Sequence, residues 1–122
     1  MKKTFIFVLM VLVGISLSFS NLKADEARTI THKFKTITTN TNGGQGVTIY
    51  RITGVTTAAN GVFGIYNVTT YAAASTSNCA IEGGEGTAGD ALPHYDFGKD
   101  GLTLDTGMSV IVSNCYVTIE YI

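Results

Sequence analysis

The chain has 122 residues, and eight Lys and Arg against nine Asp and Glu give a formal net charge of −1. Those figures join two unlike parts: Lys2 and Lys3 precede an apolar run over residues 5–13, which tapers through Ser16, Ser18 and Ser20 in the manner of an export signal. A multi-domain enzyme, a cytosolic protein and a transmembrane helix bundle are all disfavoured, because the apolar core of about 15 residues falls short of the roughly 20 that span a bilayer and one domain remains behind it.

Residues 1–24 are therefore expected to be a signal peptide and 25–122 a single β-sandwich domain. Cleavage after Ala24 is preferred because Asp25 and Glu26 begin a polar segment, and cleavage after Ser20 is the rival. Membrane contact is expected only through the signal segment before cleavage, and the protein is expected to be secreted, periplasmic or on a bacterial cell surface. The part after the signal keeps five basic residues, Arg28, Lys33, Lys35, Arg51 and Lys99, against all nine acids. That acidic balance argues against nucleic acid as a partner, since sequence-independent binding depends on clustered Lys and Arg.

Composition sets the fold class. Residues 25–122 hold 17 Thr, 13 Gly and many Val, Ile and Tyr, but only Leu92, Leu102 and Leu104 among leucines. β-Branched and aromatic side chains suit a half-buried pleated surface, whereas helices favour Ala, Leu, Glu, Lys and Gln. The only helix-permissive stretch, residues 71–75, is too short to be stable unaided.

In chain order, residues 30–37 alternate with Ile30 and Phe34 on one face and Lys33 and Lys35 on the other, and residues 40–44 end them as a turn. Residues 46–53 form a second strand. Asn60-Gly61 then predicts a hairpin into a third strand over 62–69, because such a turn takes positive φ at both central residues. Residues 78–82 form a fourth strand, followed by an acidic loop over 83–90. After residues 94–97 come a turn at 98–101, a strand at 102–104 and a turn at 105–107. The last strand runs from Ile111, with Ile111, Ser113, Cys115, Val117, Ile119 and Tyr121 on one face and Asn114, Thr118 and Glu120 on the other. About seven short strands with turns every 8–12 residues predict a small antiparallel two-sheet sandwich of jelly-roll type.

Cys79 and Cys115 are expected to pair as a disulfide, since export leads to an oxidising compartment. The bridge would close a loop of about 37 residues, worth roughly 3–4 kcal/mol on a chain-entropy account. Two free buried thiols are the alternative. Two isolated cysteines without a nearby histidine pair make no metal site, and no cofactor is expected.

Several short motifs copy functional ones. Residues 84–89 spell G-x-G-x-x-G, but Asp90, Leu92 and Pro93 follow in place of a helix, and Glu82, Glu85 and Asp90 would repel phosphate. Asp96-Phe97-Gly98 matches a kinase triplet without any other kinase element, and reads as a strand end with Gly98 turning. His94 and Asp96 lack a serine in an elbow motif, so no catalytic residue is assigned. Asp96, Asp100 and Asp105 match no calcium-loop spacing and read as turn formers. Asn67-Val68-Thr69 is a glycosylation triplet inside a predicted strand and reads as incidental. Tyr50, Tyr66, Tyr71 and Tyr116 are candidate interface residues, because tyrosine is favoured at recognition surfaces.

From Gly46 to Ile122 the order of elements resembles a group of small virion-associated proteins of tailed phages, of the head-decoration or fibre type. Residues 47–52, 64–67 and above all 95–102 carry the resemblance, and residues 106–110 and 117–121 complete it. It implies a non-enzymatic coat, decoration or fibre-associated sandwich and transfers no catalytic residues. The export signal and the cysteine pair depart from that group and favour use at a cell surface or in the periplasm. Three functions follow in order: a structural or binding module on a surface or particle, with another protein or its own copies as partner; a subunit of an extracellular filament or adhesin in which residues 28–37 add a strand to a neighbour; and a small secreted hydrolase or inhibitor.

Overall fold

The chain crosses between two β-sheets four times, and those crossings explain most of what local sequence did not foretell. A computed structural model describes residues 31–122; the expected signal segment, both cleavage points and Ile30 lie outside them. The elements are β1 (Lys33–Ile37), β2 (Val47–Thr56), β3 (Gly61–Tyr66), a 3-10 turn (Tyr71–Ala73), β4 (Cys79–Glu85), β5 (Tyr95–Asp96), β6 (Leu102–Leu104), β7 (Ser109–Ser113) and β8 (Cys115–Tyr121). One sheet has the order β1-β8-β2, with β5 and β6 both paired along the free edge of β2, and the other has the order β4-β3-β7. Every pairing is antiparallel. The expected all-β sandwich is the observed fold, with eight strands in place of about seven.

The two sheets meet through alternate residues. Ile49, Ile52, Val117 and Ile119 of the five-stranded sheet face Phe63, Ile65 and Val110 of the three-stranded one, with Ile37, Ile81, Leu92, Leu104, Met108 and Cys115 around them. Branched side chains dominate because a pleated, close-packed layer accommodates them in few rotamers. The two buried polar side chains are satisfied: Thr56 donates its hydroxyl to the carbonyls of Thr87 and Asp90, and Ser109 donates to the Val68 carbonyl while accepting from Gly43 N–H.

The Asn60-Gly61 pair does not make a hairpin. β2 and β3 belong to different sheets, Asn60 alone of the pair has positive φ (57°), and residues 57–60 form a crossing loop. The chain crosses back at a second corner, Asn114, also left-handed (φ 54°). The two corners hold each other: Thr57 and Ala58 donate their N–H groups to the Asn114 carbonyl, and Asn114 Nδ2 donates to the Ala59 carbonyl. Tertiary hydrogen bonds outcompeted the local turn preference. The same corner splits the predicted final strand into β7 and β8, so Ile111 does not share a face with Cys115, Val117 and Ile119. The glycosylation triplet also shifts, because β3 ends at Tyr66, and Asn67 Oδ1 is occupied in accepting the N–H groups of Thr106 and Gly107.

β1 alternates as expected, with Phe34 on one face and Lys33 and Lys35 on the other. Its register with β8 sets Phe34 and Thr36 beside Glu120 and Thr118 on the outer face, and sets Lys33, Lys35 and Ile37 on the core side. Of these only Ile37 is buried, so the smaller sheet does not cover the lysine end. Core-side charges on an edge strand oppose pairing with another chain.

Candidate functional site

The outer faces of the sandwich carry two clusters of different character. On the five-stranded sheet, register places Arg51 opposite Glu120, and a bulge between Ile49 and Arg51 brings Tyr50 to the same region. His32 stacks on Tyr50 with ring centroids 4.3 Å apart, and its Nδ1 lies 2.6 Å from Glu120 Oε1. Arg51 bridges Glu120 at 3.9 Å and Asp96 at 3.7 Å. Each charge here has an opposite partner, which makes the cluster a cross-strand brace.

The outer face of the three-stranded sheet is organised differently. Val62, Gly64 and Tyr66 alternate along β3, with Glu82 and Gly84 of β4 on one side and Ile111 of β7 on the other, around a groove of about 480 Å³. The Tyr66 ring rests across the bare backbone of Gly64, where a Cβ would lie 2.6 Å from the tyrosine hydroxyl and push the ring aside. Burial pushes the Tyr66 hydroxyl up from its ordinary range, and the Cys79 thiol and the Glu82 carboxylate push it further. Burial likewise raises Cys79, with Glu82 second. Among the described residues no cation lies within ion-pair reach of Glu82, so the groove has a negative rim suited to a positively charged, partly apolar partner.

No family model, no curated protein and no solved structure matches this chain.

The expected disulfide is not formed, and both cysteines are free. Cys115 points into the core and donates its Sγ–H to the Val62 carbonyl at 3.1 Å, whereas Cys79 pairs across from Tyr66, four residues further along β3. At about 3.3 Å per strand residue that is roughly 13 Å, beyond the Cα separation of roughly 4.4–6.8 Å that a disulfide spans. The strand registers therefore correct a pairing that spacing and compartment had favoured.

The four candidate interface tyrosines do not form one surface. Tyr66 lines the groove, Tyr50 and Tyr116 lie with the outer face of the other sheet, and Tyr71 is exposed on the 3-10 turn. Tyr95, not among the tyrosines proposed for the interface, stacks on Phe97, meets Phe63 edge-on and donates its hydroxyl to the Glu82 carbonyl. His32 and Glu120 were also missed as a pair: they are 88 positions apart, and no local pattern joins them.

The copied motifs have structural uses. Gly84 and Glu85 belong to β4, which runs three residues further than predicted, and residues 86–90 are tied to Thr56 through its backbone and hydroxyl. Asp96 Oδ1 accepts Gly98 N–H at 2.9 Å, an Asx turn in which Gly98 has φ 66°. His94 is exposed, and no serine hydroxyl bonds to it among the described residues. Asp100 meets Lys99 at the surface.

Proposed function

We propose that the protein is an exported, non-enzymatic structural or binding module that acts on a cell surface or particle. The observation that carries this reading is the display of large apolar side chains on both outer faces, Phe34 at 68% exposure on one and Val62 at 51% on the other. Neither position stabilises the core, and single apolar anchors on rigid sheets are what a recognition surface uses. The likeness of residues 95–102 to particle-associated phage sandwiches supports the same reading. Immunogold electron microscopy of producing cells tests it: label on the envelope or on released particles is expected, and label confined to the cytoplasm overturns it.

Assembly by strand addition is the weaker alternative. β1 is already paired with β8, and the free edge of β7 is closed at Val110 by Thr41 and at Val112 N–H by Asn40 Oδ1. Those contacts leave less of residues 28–37 to donate than the sequence suggested.

A further inference from the structure

We propose that the free edge of β4 binds an extended, basic segment of another protein, which adds to the three-stranded sheet as a fourth strand. The inference rests on the reading of the protein as a surface or particle module and names the chemistry of its partner.

The alternation of the ladder shows that the edge is open. Val110 turns its backbone groups to Thr41, and Val112 turns its N–H to Asn40, so both face away from β3. Their partners Ile65 and Phe63 therefore turn toward Ile81 and Gly83 of β4, because successive residues of an antiparallel strand bond to opposite sides. That leaves Glu82 and Gly84 with N–H and C=O groups pointing out of the sheet. Tyr95 reaches the Glu82 carbonyl, but among the described residues nothing reaches the Glu82 N–H or either backbone group of Gly84. An edge of this kind is a template for an extended backbone. Ala80, Gly83 and Gly84 keep it free of bulky side chains, and a hollow of about 300 Å³ beside it, lined by Thr76, Cys79, Ala80, Ile81 and Glu82, has room for a side chain of the added strand.

Charge selects the occupant. Residues 52–93, which include all of β3 and β4, contain Glu82, Glu85 and Asp90 but no Lys, Arg or His, and β7 adds no cation. None of the three acids makes an ion pair among the described residues. A Lys or Arg opposite Glu82 makes a favourable cross-strand pair, whereas a second copy of β4 brings carboxylates against carboxylates. The same acids therefore oppose pairing between copies and favour a basic strand. Lys33-Phe34-Lys35 of this chain is already paired with β8.

Heptapeptides capped at both ends test this by titration into the ¹⁵N-labelled protein purified from cells expressing the full chain. A peptide alternating Lys and Val is expected to bind and to slow hydrogen exchange at the Glu82 and Gly84 amides, and one alternating Glu and Val is not. A side chain beside Glu82 belongs to a residue whose own N–H faces β4. N-methylation of the Lys amides should therefore abolish binding, and N-methylation of the Val amides should leave it. Glu82→Lys, at an exposed site and with folding checked by circular dichroism melts, should weaken the Lys–Val peptide about fivefold or more. No binding at millimolar peptide, equal binding of the two N-methylated forms, or unchanged affinity in Glu82→Lys overturns the proposal. Protection of the Glu82 and Gly84 amides that grows with protein concentration alone assigns the edge to a second copy and overturns it too. If the proposal falls while immunogold label lies on the envelope, the surface reading stands; peptide binding with label confined to the cytoplasm removes that reading alone.

Discussion

The two sheets share a core but finish their outer faces by opposite rules. On the five-stranded sheet, Glu120 is held by His32 on one side and Arg51 on the other, and Arg51 continues to Asp96. On the three-stranded sheet, Glu82 faces a phenol and a thiol, neither of which neutralises it, beside exposed Val62 and half-buried Ile111. A paired network consumes its own recognition capacity. An unpaired charge next to apolar surface keeps it available.

The largest expected effect tests what the faces share. Ile52→Ala or Ile119→Ala removes a fully buried side chain from the layer between the sheets, and urea unfolding should show a loss of about 2–5 kcal/mol. Thr56→Val should cost about 1–3 kcal/mol in the same measurement, because the carbonyls of Thr87 and Asp90 lose the hydroxyl that serves both. Glu120→Gln should cost only about 1 kcal/mol and less in high salt, since Arg51 and His32 are partly solvated. Glu82→Gln should leave stability nearly unchanged, which is the contrast that separates brace from groove.

The smallest effects concern protons and thiols. Tyr66, Cys79 and Cys115 are all raised in the folded protein, from ordinary values near 10 for the tyrosine and 9 for the cysteines. The unfolded chain therefore releases these protons first, and stability should be intact below about pH 9 and decline as pH rises beyond it. Thermal melts between pH 7 and 10 check the sign. With an aromatic disulfide reagent, half-exposed Cys79 should react in the native state and faster in Glu82→Gln, while Cys115 reacts only on unfolding. Reductant should not change the melting temperature, and a lowered one would restore the disulfide that the strand registers exclude.

Much of the strand content was legible because alternation is a local property. Val117 to Tyr121 reveal their faces within a few residues, whereas the bulge between Ile49 and Arg51 breaks the alternation of β2 and puts both Ile49 and Ile52 in the core; the Gly98 and Gly101 turns take positive φ. The candidate site was less legible. Only Tyr66 of the proposed tyrosines reaches the groove, and Glu82, Val62 and Ile111 join it through cross-strand register between segments up to 49 positions apart. The alternation of Phe34 against Lys33 and Lys35 was legible, but which of the two faces turns toward the core was not. Phe34 faces outward and the lysine end stays uncovered because β1 overhangs the smaller sheet, which no pattern within β1 encodes.

The sequence by itself determined the all-β class, the acidic Thr- and Gly-rich character of residues 25–122 and most strand positions, since propensity, alternation and turn chemistry depend on near neighbours. Tertiary structure alone decided which sheet each strand joined, that Asn60 and Asn114 are linked corners, that Cys79 and Cys115 stay apart, and that one outer face is braced while the other is grooved. Those outcomes depend on hydrogen bonds and burial between residues far apart in the chain, where a one-residue change of register moves every side chain to the opposite face.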